Sequence, residues 1–383
     1  MKIILKCTVI LIIFLNLLIV LSGKTWLYKA ISITYLKGHT SSYISDYIHF
    51  PSVDVENGAH QEWLISSQYN QKNLPKYIQE INDSLETTAF LVIKNDSILF
   101  EKYWHGYTKD SSSNSFSIAK SWVASLIGIA INEGKIKNVN QKVCDFLPEF
   151  CSEKEKSITI KHLLTMSSGL DWEESYYNPL GKTSEAYYGR NLKDLVIKLK
   201  SIEEPGKFFK YHSANTQILA FLLEEATGYS INEYLSEKMW KVLGADHPAL
   251  WNTDVQNGDE KAFCCINSNA RNFARLGKLY LNYGQWNGIQ MIDSIFIKNA
   301  TSAAELLNKE GILNTNYGYH FWIADRYDYE IFYARGLWGQ YIICIPDLDM
   351  IIVRLGRRYG SNLSDGHHYD FYKFVEAAIE LYK

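Results

Sequence analysis

Ser117 and Lys120 are spaced for nucleophilic chemistry. They belong to the run Ser117-Ile118-Ala119-Lys120, and an apolar stretch over 122–131 follows at once. A run that rich in Ala, Leu and Ile predicts a buried helix, with both polar residues in its first turn. Positions i and i+3 share a helix face, so the amine can reach the hydroxyl. The helix N-terminus adds unpaired N–H groups and the positive end of the dipole. Both effects favour an alkoxide on Ser117 and a neutral amine on Lys120. That pairing is an acyl-transfer nucleophile with its base. The ordinary alternative is a polar first turn capped by Ser117. A chain this long shows roughly one or two Ser-x-x-Lys spacings by chance, so the motif needs company. This is the sole such spacing in the chain.

Two further segments offer company. Pro205-Gly206 leads into Tyr211-His212-Ser213-Ala214-Asn215, a loop placed just before a predicted helix over 216–227. A Tyr211 hydroxyl near the Lys120 amine would be pushed toward phenolate and could share its proton traffic. Tyr211 can equally be one structural tyrosine among 27, with Ser213 or Asn215 capping the helix. The other segment is Ala334-Arg335-Gly336-Leu337-Trp338-Gly339-Gln340 at a strand end. A glycine-rich strand edge lets a ligand approach closely and meet N–H donors. A turn or bulge between two strands explains it as well.

The elements that must position these residues follow from pattern. Residues 88–93 and 97–104 read as a strand pair joined at Asn95-Asp96. The middle is helical, with segments at 160–166, 192–199, 216–227, 231–243 and 270–283, and Gly228 and Gly284 at C-caps. Strands return at 319–324, 330–335, 340–345 and 350–355, and an amphipathic helix over 371–382 closes the chain. Strands at both ends around a helical middle give an α+β fold, its antiparallel sheet assembled from both termini. Residues 25–84 show no clear period and read as a connector packed on the main domain, residues 85–383.

Composition narrows the function. The chain has 383 residues, 47% hydrophobic and 21% charged, with net charge −3. No basic excess points to nucleic acid. Residues 1–24 differ: a short basic start leads into an apolar run over 7–21, the pattern of a signal peptide or membrane anchor. The run is slightly short for a full span. Either reading exports the body, to the periplasmic face of a membrane or beyond it. Membrane contact is expected through this segment alone. Of six cysteines, Cys144 and Cys151 could pair, but reduced, buried thiols are the expectation. Adjacent Cys264 and Cys265 lack His or Cys neighbours in sequence that would make a metal site.

In order, the pieces resemble one family: Ser117 to Lys120, then His162-Leu163-Leu164-Thr165-Met166-Ser167-Ser168-Gly169-Leu170, then Pro205-Gly206 with Tyr211-His212-Ser213, then Asn269 to Gly277, then Gly336-Leu337-Trp338-Gly339-Gln340. The set is similar to the serine β-lactamase-related superfamily, in its branch of class C-like β-lactamases, D-alanyl-D-alanine carboxypeptidases, esterases and 6-aminohexanoate-dimer hydrolase. The resemblance implies that Ser117 is acylated, that Lys120 deprotonates it, and that Tyr211 is the Tyr of the family's Tyr-x-Asn. It implies an oxyanion hole from the N–H groups of Ser117 and Leu337, next to Gly336. It implies no cofactor. Two positions depart from the pattern. Ser213 replaces the amide of Tyr-x-Asn. Ala334 stands where the family has a Lys or His that grips a carboxylate, leaving Arg335 as the nearby cation. Esters and small amides are therefore expected over β-lactams. The alternative is a non-catalytic sensor of peptidoglycan or peptide on the same fold.

Two signals carry little. Gly181-Lys182-Thr183-Ser184 lacks the first glycine of a phosphate loop. His367-His368 beside Asp365 reads as a solvated turn, and no metal is expected there.

Overall fold

The computed structural model describes all residues from Met1 to Lys383. Its centre is a seven-stranded sheet. In chain order the strands are β1 (Leu64–Ile65), β2 (Thr87–Lys94), β3 (Ser97–Tyr103), β4 (Trp322–Arg326), β5 (Tyr329–Gly336), β6 (Gln340–Ile345) and β7 (Met350–Gly356). In space they run β4-β5-β6-β7-β2-β3-β1. All neighbours are antiparallel except β1 with β3. The β7–β2 pairing, with Ile352 opposite Val92, stitches the two chain ends together. Asn95 and Asp96 turn β2 into β3 with φ of 48° and 59°. A tight hairpin turn needs this left-handed pair, and Asn and Asp tolerate it best after Gly.

The sheet is covered on both faces. Leu91 and Ile93 point into one core, and Phe90 and Val92 into the other, as a period of two requires. The principal helices are α1 (Lys2–Leu21), α2 (Trp26–Ile33), α3 (Lys76–Ser84), α4 (Ile118–Asn132), α5 (Lys182–Tyr188), α6 (Ser213–Thr227), α7 (Ala270–Leu281) and α8 (Tyr369–Tyr382). Phe371, Phe374 and Val375 of α8 and Ile78 of α3 fill the smaller core. The larger core holds α4, α6 and α7. α4 is buried from Ile118 to Ala130, which is why its sequence is apolar all round. The α+β fold expected from the chain-end strands is the one observed.

Several details differ from the sequence reading. Residues 25–84 contain α2, α3 and β1, plus a strand, Ser52–Val55, in a second, four-stranded sheet. Each piece is too short to show a period. The helix expected over 231–243 is α-helical over Ile231–Leu235 and then widens to a π-turn over Ser236–Trp240. β4 starts at Trp322, because His320 takes a left-handed turn with φ 59°. The cysteines differ too. Cys144 bonds Cys151 and Cys264 bonds Cys265, so these four are not reduced thiols. The turn between Cys144 and Cys151 brings their Cα atoms to 4.9 Å, within disulfide reach. Cys7 and Cys344 remain free.

α1 has 20 residues and buries none of them. At about 1.5 Å per residue it spans about 30 Å, the thickness of a bilayer core. The apolar run looked short because the helix also takes in Lys2 to Lys6. α2 then docks on the body through Trp26, Ala30 and Ile33.

Candidate active site

Ser117 stands at the N-cap of α4, just after Phe116, whose φ is 45°. This left-handed residue turns the short strand Ser113–Asn114 into the helix. Asn114 secures the turn by accepting the Phe116 N–H at 2.9 Å. Lys120 is one turn on, and its Nζ lies 3.0 Å from Ser117 Oγ. The same amine donates to the Phe263 carbonyl at 2.6 Å. Lys120 is 1% exposed, and burial brings its pKa down to about 8, with Glu174 pulling the other way. A neutral amine that donates to Phe263 keeps its lone pair for the Ser117 proton.

Tyr211 closes the other side. Its ring centroid is 5.2 Å from Lys120 Nζ, and its hydroxyl faces the Ser117 side chain. Trp322 stacks on it at 5.7 Å and Tyr317 meets it edge-on at 5.9 Å. Burial, reinforced by the Glu174 charge, pushes the Tyr211 phenol well above its ordinary range, opposite to the expected shift toward phenolate.

Glu174 escaped the sequence reading. It accepts the Ser213 N–H at 2.7 Å, the Ser213 hydroxyl at 2.7 Å and the Trp172 indole at 2.9 Å. It thus caps α6 from outside, where an anion suits the helix dipole. His212 occupies the N-cap position of α6, not Ser213 or Asn215. Asn215 instead accepts the Ser168 hydroxyl at 2.6 Å. No spacing rule would single out Glu174, since its partner lies 39 residues on.

Ser117, Ser213 and Leu337 share one cleft with Tyr176, Phe263 and Cys264. The backbone N–H groups of Ser117 and Leu337 donate to no protein acceptor. Gly336 makes their approach possible, because a Cβ there would run into the Ser115 carbonyl. β4 begins opposite Tyr333, so the last three residues of β5 have a free edge.

Arg335 is half-buried beside this edge. Its guanidinium lies 3.4 Å above the Trp322 ring and donates to the Gly366 carbonyl at 3.0 Å. Its charge reaches Tyr211, Tyr176 and Tyr317. Ala334 is fully buried in the larger core, on the opposite face of the strand. His367 and His368 are not a solvated turn. They bond the Tyr333 and Tyr341 hydroxyls at 2.7 and 2.8 Å, and burial lowers them to about 4 and about 3. Aromatic walls on both sides shield them, which their sequence neighbours do not reveal.

The Beta-lactamase family model matches residues 74–376, and the chain belongs to that family. The 6-aminohexanoate-dimer hydrolase of Paenarthrobacter ureafaciens is 27% identical over 299 residues, covering 74% of this chain and 75% of its own length. In fold, a candidate 6-aminohexanoate-dimer hydrolase from Bacillus anthracis matches with a TM-score of 0.75 at 22% identity, over 88% of this chain and 92% of its own. A family VIII carboxylesterase matches with a TM-score of 0.61 at 16% identity, over 81% and 99%. The resemblance drawn from the motifs therefore holds, and the chain is a hydrolase of the serine β-lactamase-related superfamily.

Proposed function

We propose that Ser117 attacks esters or small amides and is acylated by them. Lys120 takes the Ser117 proton as general base. The N–H groups of Ser117 and Leu337 receive the developing oxyanion. Tyr211, a neutral phenol facing Ser117, gives its proton to the leaving group and recovers one from the Lys120 ammonium, which becomes neutral again. Water then follows the same route to release the acid. The observation that carries this reading is the buried Lys120 amine, lowered to about 8 and 3.0 Å from Ser117 Oγ. A group poised near neutral pH makes an effective base. The hydrolase relative from Paenarthrobacter, named for an amide dimer, supports amides as well as esters. The body works outside the cytoplasm, held or led there by α1; its two disulfides suit an oxidising compartment.

The test is turnover of an activated short-chain ester. Ser117→Ala should cut it by several orders of magnitude with an unchanged melting temperature. Near-normal turnover by that variant would remove Ser117 as the nucleophile and favour a binding role.

A further inference from the structure

Phe263, the residue whose carbonyl holds the Lys120 amine, immediately precedes two bonded cysteines. The Phe263 carbonyl and the Cys264 N–H belong to one peptide plane. A bond between neighbouring cysteines closes a small ring around the next peptide plane. It restricts ψ of Cys264 and φ of Cys265 together. Cys265 has φ of 76°, a region that L residues other than Asn and Asp seldom enter. The ring is anchored from outside. The Trp251 indole donates to the Cys264 carbonyl at 3.1 Å. The Asn252 N–H and the Asn267 amide donate to the Cys265 carbonyl at 3.1 and 2.9 Å. Cys264 also lines the cleft, so a small thiol entering it meets this residue.

We propose that the Cys264–Cys265 bond is a positioning element for the catalytic base: closed, it aims the Phe263 carbonyl at Lys120, and opening it by a dithiol reductant releases that carbonyl and slows acylation. The proposal rests on the Ser117–Lys120 reading. In the step, a thiolate of the reductant attacks the Cys264 sulfur. The S–S bond breaks, and the Cys265 sulfur leaves and takes a proton. The reductant's second thiol then displaces Cys264 as a thiol and closes the reductant to its own disulfide. Two electrons pass from reductant to cystine.

Opening the ring should affect rate and titration differently. A carbonyl that accepts an ammonium N–H favours the charged form. Losing it lowers the Lys120 pKa while leaving the amine less well aimed. The other groups around Lys120 are Glu174 from the 171–181 loop, Tyr211 from the segment before α6, and His320 from the turn before β4. None of them belongs to the ring.

The experiment uses the full chain in detergent, with Cys144→Ser and Cys151→Ser so that one disulfide remains. Ser117 labelling by a fluorophosphonate is followed across pH, before and after dithiothreitol, and thiols are counted by alkylation and intact mass. Two new thiols should appear on reduction. Labelling should slow about 10-fold or more, since small misplacements of a reacting group carry losses of this order. The acid limb should move to lower pH, and reoxidation should reverse both changes. A Cys264→Ser, Cys265→Gly variant, whose glycine accepts the left-handed turn, should show both changes without reductant. Equal rates and limbs with the ring open overturn the proposal, as does finding four free thiols before reduction. A Ser117 that stays unlabelled with the ring closed overturns the base reading itself, and this proposal with it.

Discussion

At the scale of residues, one proton decides the chemistry. Lys120 loses its charge near pH 8 because it is buried without a carboxylate in contact. Its neutral, basic form grows as pH rises through that value. For a neutral ester, kcat/KM should therefore rise with an apparent pKa of about 8 and then level. Folding stability should follow the same sign. The folded pKa lies below the unfolded one, so Lys120 contributes increasing stability from about pH 8 up to the ordinary lysine range. Tyr211→Phe should slow acylation by about 10²-fold and leave the acid limb in place, because the limb belongs to the amine. A pH–rate series on both proteins checks this. Loss of the limb in Tyr211→Phe would move the titration to the phenol.

At the scale of elements, the site depends on loops that hold one another. Lys210 and Gly206 donate their N–H groups to the Met166 and Ser167 carbonyls, both at 2.7 Å. Those loops set the position of Tyr211. Gly169, with φ of 69°, lies against the Glu203 carbonyl, and its own carbonyl accepts the Ile202 N–H at 2.9 Å. Gly169→Ala meets both a backbone penalty and a collision. It should destabilise the protein by about 1–3 kcal/mol and lower kcat by displacing the Tyr211 loop. Calorimetry and turnover on the same sample test this, and an unchanged melting temperature would contradict it. These loops also show what the sequence made legible. The Ser117–Lys120 contact and the close approach at Gly336 were legible because both follow from short-range spacing and residue type. Glu174 and Asn114 were not, because their roles arise from contacts with Ser213 and Phe116 that only the fold defines. The shift toward phenolate expected at Tyr211 is reversed for a related reason: burial and the Glu174 charge outweigh the Ser117 hydroxyl and the Arg335 charge there.

At the scale of the whole molecule, the fold separates an exposed apolar helix from a body with two cores. The alternating strands announced the sheet, and the all-apolar α4 announced its own burial. The connector hid its structure because its elements are short, yet Ser41 and Ser42 from it line the cleft. A chain lacking residues 1–24 should be soluble, folded and active, since α1 buries no residue in the body. Loss of folding on that truncation would show that α1 supports the body after all.

The proposed reaction turns on Ser117 being a nucleophile primed by Lys120, and intact-mass analysis after exposure to a fluorophosphonate reads this out. One adduct should form, mapped to Ser117, absent in Ser117→Ala and strongly slowed in Lys120→Ala. An unmodified protein, or an adduct on another residue that survives Ser117→Ala, would contradict it.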